Sequence, residues 1–212
     1  MPTMTRRMLG AAAFGVLMAA SVAAAQAQQM APNPPVRLRG TIEKVDGSNL
    51  TIKAKNGNTV LVKLADNARV TAMVKASIAD IKQGDFIGVT AMPQPDGSQK
   101  AIGLHIFMDA QRTVVPHRFG PWDREPGSTM TNADVETTVA GVDGQTITVK
   151  YADGEKKVTV PPNTPVVRFV PGSAADLKPG AQMIIIAATK QPDGTLSAPA
   201  INVGRDGAAP PM

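Results

Sequence analysis

A pattern of turns and strands recurs once along this chain, and that internal repeat limits the fold more than any other feature. Val45-Asp46-Gly47 returns as Val142-Asp143-Gly144, an offset of 142 − 45 = 97. The same offset carries Leu50-Thr51-Ile52-Lys53 onto Ile147-Thr148-Val149-Lys150, Gly57 onto Gly154, and Pro95-Asp96-Gly97 onto Pro192-Asp193-Gly194. Ser77 to Gly84 matches Ser173 to Gly180 at an offset of 173 − 77 = 96, so one residue is lost and later regained. Agreement at so many turn and strand positions marks a duplicated unit.

Within each repeat the apolar period is two. Val36, Leu38 and Ile42 alternate with Arg37, Arg39, Thr41 and Glu43, and Ile147, Val149 and Tyr151 alternate with Thr148 and Lys150. Side chains on a strand point to opposite faces in turn, so this is the signature of half-buried strands. Asp46-Gly47, Asn56-Gly57, Asp143-Gly144 and Asp153-Gly154 are hairpin signals. Ser77-x-x-Asp80 and Ser173-x-x-Asp176 have the spacing of a helix start, and Gly84 and Gly180 supply a left-handed stop, which predicts one short helix or helical turn per repeat. The chain therefore reads as all-β: two tandem small barrels of the oligonucleotide/oligosaccharide-binding type, at 36–107 and 135–204, joined by an irregular but ordered linker at 108–134. With 19 Gly, 18 Pro and 3% aromatic residues the cores are thin, so the two barrels are expected to dock. Gln, Pro, Ala and Gly dominate 28–35 and 205–212, which predicts flexible segments.

The repeats resemble a known family. Arg39-Gly40-Thr41-Ile42 leading to Val45-Asp46-Gly47, then Leu50-Thr51-Ile52-Lys53, then Ala79-Asp80-Ile81-Lys82-Gln83-Gly84-Asp85, look like the bacterial exported domain family of unknown function numbered 5666. Arg112-Thr113, Pro121-Trp122-Asp123 and Pro126-Gly127-Ser128-Thr129-Met130-Thr131-Asn132-Ala133 look like its two-repeat alphaproteobacterial subgroup. Members of that subgroup are often labelled metal transporter permeases, a label that does not fit a chain with no apolar run of about 18 residues after the first segment. The second repeat departs from the pattern, with Glu136-Thr137 for Arg39-Gly40 and Gly180-Ala181 for Gly84-Asp85. A ligand site at those positions would survive only in the first repeat.

Residues 1–27 read as a signal peptide. Arg6 and Arg7 precede an apolar run from Met8 to about Ala20, and Ala25-Gln26-Ala27 places cleavage after Ala27, with Ala23-Ala24-Ala25 the second choice. Thr5-Arg6-Arg7-Met8-Leu9 partly matches the twin-arginine pattern, so both export routes stay open. A periplasmic or secreted protein is the expectation. The formal charge of +5 falls to 5 − 2 = +3 without the two leader arginines, and the linker mixes Arg with Asp and Glu. There is no basic stripe, and few aromatic rings could stack bases, so nucleic acid is not an expected partner. With no Cys, thiol catalysis and thiolate metal sites are excluded.

The linker holds the single Trp (Trp122) and one of the two His (His117). Arg112, His117, Arg118, Trp122 and Asp123 are the candidate binding residues: an aromatic anchor beside guanidinium groups suits recognition of an anionic group. In a purely structural alternative, Phe119 and Trp122 clamp the linker across both barrels and Arg112 pairs with Asp123. His105, Met108 and His117 are candidate ligands for copper or another transition metal. His105, opposite the Leu104 and Ile106 face, is otherwise expected to be solvated. No Gly-x-Ser-x-Gly elbow or spaced acid pair is present, so an enzyme is not predicted; a hydrolase would need His117 hydrogen-bonded to an acid or hydroxyl in a pocket. The reading that follows is a non-enzymatic exported binding or envelope-interaction protein for an unidentified protein, glycan or envelope component, with periplasmic metal handling as the alternative.

Overall fold

Alternation becomes strand throughout the computed structural model, which describes residues 34–141 and 144–212. The first repeat forms β1 (Val36–Asp46), β2 (Asn49–Ala54), β3 (Thr59–Ala76), β4 (Phe86–Pro93) and β5 (Gln99–Ile106). The linker adds β6 (Arg118–Pro121). The second repeat forms β7 (Thr129–Gly141), β8 (Gly144–Tyr151), β9 (Gly154–Val160), β10 (Val166–Pro171), β11 (Gln182–Lys190) and β12 (Leu196–Gly204). The protein is all-β, and among the described residues the only helical pieces are three short 3-10 turns. Two of them fall where the Ser-x-x-Asp spacing put them. The Ser77 backbone N–H donates to Asp80 Oδ2 at 2.7 Å and that of Ser173 to Asp176 Oδ2 at 2.9 Å, while Gly84 and Gly180 stand at φ +85° and +87°.

The pairing of these strands is not tandem. β1 pairs with β2 and β2 with β3, but β3 then pairs with β12, β12 with β11, and β11 back with β1. Five strands close into a barrel, three from the first repeat and two from the second. Five of the remaining seven strands close a complementary ring: β7 with β8, β8 with β9, β9 with β5, β5 with β4, and β4 with β7. We call these ring A and ring B. The expected boundaries, with 36–107 making one barrel and 135–204 the other, therefore give way to an exchange of the last two strands between repeats. Both repeats carry the same alternation and turns, so either pair of closing strands suits either ring, and the choice rests on how the rings meet.

They meet at β3 and β10. β3 is 18 residues long; its C-terminal end pairs antiparallel with β10, and β10 also runs parallel to β5 of ring B. Met73 lies opposite Phe169 in that ladder. Since 169 − 73 = 96, the offset of the neighbouring Ser-x-x-Asp turns, a pseudo-twofold axis relating the repeats passes through this pair. Three apolar clusters follow. Ile42, Ile52, Ile185 and Ile201 belong to the filling of ring A, and Ile87, Leu104, Ile147 and Val149 to that of ring B. Met73, Phe86, Phe107, Met130, Val167, Phe169 and Ile184 form the seam between them.

The C-terminal segment, expected to be flexible, is part of that seam. Arg205 makes a two-pronged pair with Asp176 at 2.7 and 3.0 Å, Asp206 and Gly207 turn the chain in the left-handed region, and Ala208 and Met212 are buried to 1% and 3% exposure. Composition missed this because the seam, not the segment, supplies the apolar surface. The linker is more regular than expected: β6 forms a hairpin with the start of β7, closed by the Trp122 N–H donating to the Ser128 carbonyl at 2.8 Å. Ala27 and its cleavage site lie outside the described residues, as do 28–33. Among the described residues no helix is long and apolar enough to cross a membrane.

Candidate functional site

Alternation on β1 buries Leu38, Gly40 and Ile42 and turns Arg37 and Arg39 to the other face, side by side. The tip of the β6–β7 hairpin, Trp122 to Ser128, leans against that face. The Arg37 guanidinium lies over the Trp122 ring, 3.7 Å from its centroid, with that of Arg39 at 5.8 Å. Asp123 Oδ1 accepts from both, at 2.7 Å each. A guanidinium on an indole face gains about 0.5–2 kcal/mol depending on how dry the contact is. These contacts hold a ring B hairpin against a ring A strand, and Phe119 lies on the outside of ring B against Tyr151, centroids 5.9 Å apart, with the Lys156 ammonium over it. Of the two rings expected to clamp the linker across both barrels, only Trp122 reaches ring A, while Phe119 stays on ring B, and the ion pairs differ from the expected one. Asp123 pairs with Arg37 and Arg39, whereas Arg112 pairs with Asp134 and donates to the Gly84 carbonyl at 2.6 Å.

Positive charge exceeds negative around Trp122. Burial raises the Asp123 carboxyl, but hydrogen bonds from Arg39 and Arg37 outweigh it and hold the group down at about 2. Lys55, at the end of β2, is pushed below the usual lysine range by partial burial first, then by Arg124 and Arg39. Burial alone lowers an ammonium, and the Arg124 and Arg39 charges add to it here. Arg37 and Arg39 share the Asp123 carboxylate, and the Arg124 and Arg39 charges reach Lys55. Three buried donors at this place, Arg37 Nε, Trp122 Nε1 and Arg124 Nε, have no protein acceptor. A buried N–H without an acceptor is costly, and an anion can satisfy several at once.

The two histidines do not come together as ligands. His105 does point away from the ring B interior, but the outer face there is the seam. It is buried at 3% exposure, not solvated as expected, and lies so flat over Gly88 that a Cβ there would stand 2.0 Å from its Nε2. Burial pushes the imidazole down to about 3. His117 lies tilted against Phe86, Phe86 stacks on Phe107, and Phe107 stands edge-on to His105, with centroids 4.4, 4.6 and 4.6 Å apart. Two phenyl rings thus link the imidazoles, and Met108 packs beside the same cluster. Among the described residues no three His, Cys, Asp or Glu side chains gather as a metal site. His117 Nε2 lies 3.2 Å from Asp134 Oδ2, the contact a hydrolase would need, but Asp134 already binds Arg112. The buried Ser128 hydroxyl donates to the Trp122 carbonyl and accepts from the Glu125 N–H, closing the hairpin rather than facing His117.

Of the candidate linker residues, then, Trp122 and Asp123 belong to one site, Arg112 and His117 to a separate link onto Asp134, and Arg118 is exposed on β6. Arg37, Lys55 and Arg124 are not among the sequence candidates, and Arg39 enters only through the Arg39-Gly40 difference between the repeats. The signal was there in part: Arg37 and Arg39 share one face of β1, and Arg39-Gly40 is absent from the second repeat, where Glu136 pairs weakly with Lys150 at 3.8 Å. The pseudo-twofold therefore has one such site, not two. Comparisons with family models, curated proteins and solved structures gave no match.

Proposed function

We propose that the protein is a non-enzymatic exported binding module, related to the family of unknown function 5666, that recognises an anionic group at Trp122. Its rings are of the oligonucleotide/oligosaccharide-binding type put to another use. One observation carries the reading: Arg37 Nε, Trp122 Nε1 and Arg124 Nε are buried donors without an acceptor, where the Arg37 and Arg39 guanidiniums share the single Asp123 carboxylate. Arg37 and Arg39 are preset by Asp123 and the indole, so a ligand carboxylate or other oxyanion meets donors already ordered, which lowers the entropic cost of binding. The natural partner is then a protein, glycan or envelope component with an exposed acidic group.

Titrating inorganic phosphate and acetate at low ionic strength, with emission of the single tryptophan as the signal, tests this. Saturable changes lost in an Arg37→Gln, Arg124→Gln double variant are expected. Equal, non-saturating responses in both proteins would reject the site.

A further inference from the structure

The end of the chain already shows what shape of ligand the seam accepts. From Gly204 the chain turns and crosses from ring A to ring B and back. A Cβ on Gly204 would stand 1.7 Å from the Ala208 carbonyl oxygen, and one on Gly103 of β5 would stand 2.3 Å from the Pro211 oxygen. Met212 is buried with Phe86, Phe107, Met130 and Ile184, and Trp122 packs against the same cluster. The Met212 main-chain oxygen accepts from Arg39 Nε at 2.9 Å. Among the described residues this is the only hydrogen bond that a side chain of the rings gives to Ala209–Met212. Two prolines remove two N–H groups that would otherwise need acceptors and favour an extended backbone. The segment is thus held by shape, apolar burial and one guanidinium, none of which requires it to be covalently attached.

The pseudo-twofold sharpens the point. The equivalent of Phe107 is Gly204, since 204 − 107 = 97, so on one side of the axis a phenyl ring fills the seam and on the other a glycine leaves room for backbone. Gly103, which lies under Pro211, corresponds to Ala200 by the same offset. Small residues at these two positions make a track.

We propose that this track is a recognition groove for an extended, proline-containing peptide segment of a partner protein, ending in an apolar residue at Arg39, and that Ala208–Met212 occupies it in cis as a competitor. The proposal rests on the anionic-group reading through Arg39, where a peptide carboxylate takes the place of the Met212 oxygen. A short tether holds its end at an effective concentration on the order of millimolar, so free peptide well below that concentration does not displace the segment.

The test uses acetyl-Ala-Ala-Pro-Pro-Met, as free acid and as amide, with Trp122 emission as the signal. A chain lacking 208–212 binds the peptide saturably at submillimolar concentration, the intact chain does not, and acetyl-Ala-Ala-Gly-Gly-Ser has no effect. Met212→Lys in the full-length chain covers the case in which truncation unfolds the protein: an ammonium is rejected both by the apolar seam and by Arg39 beside it, the segment leaves and the groove opens. Adding Gly103→Ala to either variant abolishes binding, because its Cβ takes the space of the proline. Binding of the acid but not the amide assigns the end group to Arg39. No saturable binding by either opened protein, while phosphate still binds, overturns the groove and leaves the anion site standing. Loss of both responses removes both, and concentration-dependent dimers of the intact chain that disappear on truncation would assign the groove to a second copy instead.

Discussion

Phe169→Ala reports directly on whether the two rings are one folding unit. Phe169 is buried on β10, stacks with His105 at 5.0 Å, meets Phe107 edge-on at 5.5 Å and faces Met73 across the pseudo-twofold. Truncating a buried phenyl ring costs about 3–5 kcal/mol, the high end applying where the surroundings cannot collapse. Here β3, β10 and β5 are tied by backbone hydrogen bonds on both sides, which restricts collapse. For a folded region of this size each kcal/mol lowers Tm by about 2–4 °C, so a loss of roughly 10 °C is expected. Unfolding would be followed by far-ultraviolet circular dichroism, which reads both rings, and by emission of Trp122, which reads the seam. The two curves should coincide in wild type and move together in the variant, since coincidence of probes is the mark of one cooperative transition. A shift below about 1 kcal/mol, or a Trp122 transition that separates from the dichroism curve, would refute the shared seam.

Other consequences follow from the same geometry. Expressed separately, 34–107 and 108–212 each hold an incomplete set of strands for either ring, so neither should fold alone and mixing should restore structure; a tandem arrangement would let each fold unaided, as heteronuclear spectra would reveal. His105 is pushed down to about 3 by burial, below its ordinary 6.5, so the unfolded chain binds the proton more readily. Its contribution is complete above about pH 6.5 and fades as pH falls toward 3, and His105→Phe should flatten that limb of a stability-versus-pH curve. Asp176 is held at about 2, first by the Arg205 hydrogen bonds and then by the Ser173 N–H, so its contribution is present above about pH 4 and lost as pH falls through 2. Asp176→Asn should lower stability and raise hydrogen exchange at Ala208, since it removes the charge that holds Arg205; unchanged exchange would detach Arg205 from the tail's anchoring.

Much of the fold was legible locally and little of it globally. The alternation at Leu38 and Ile42 and the glycines at 84 and 180 mark strands and stops, because side-chain period and positive φ are local properties. Which strand closes which ring is not local: Met183 to Ala188 and Phe86 to Met92 carry the same pattern and compete for the same partners. His105 illustrates a related limit. Its facing is readable from Leu104 and Ile106, but whether an outer face meets water or another ring depends on strands some 60 residues away, such as the one holding Phe169. Trp122 and Asp123 stood out by type and place, whereas Arg37 reads as an ordinary outward-facing strand residue until the hairpin is laid against β1. Ala208 to Met212, poor in bulky side chains, are ordered by a surface built elsewhere.

The most direct test of the central claim is calorimetric titration of the protein from Gln28 onward with inorganic phosphate at low ionic strength, compared with the Arg37→Gln, Arg124→Gln double variant. One saturable site, at least tenfold weaker in the double variant and weakened by added salt, is the result the Trp122 cluster requires. Absence of saturable heat, or equal binding by both proteins, would contradict it and leave the cations around Trp122 as no more than a clamp between two rings.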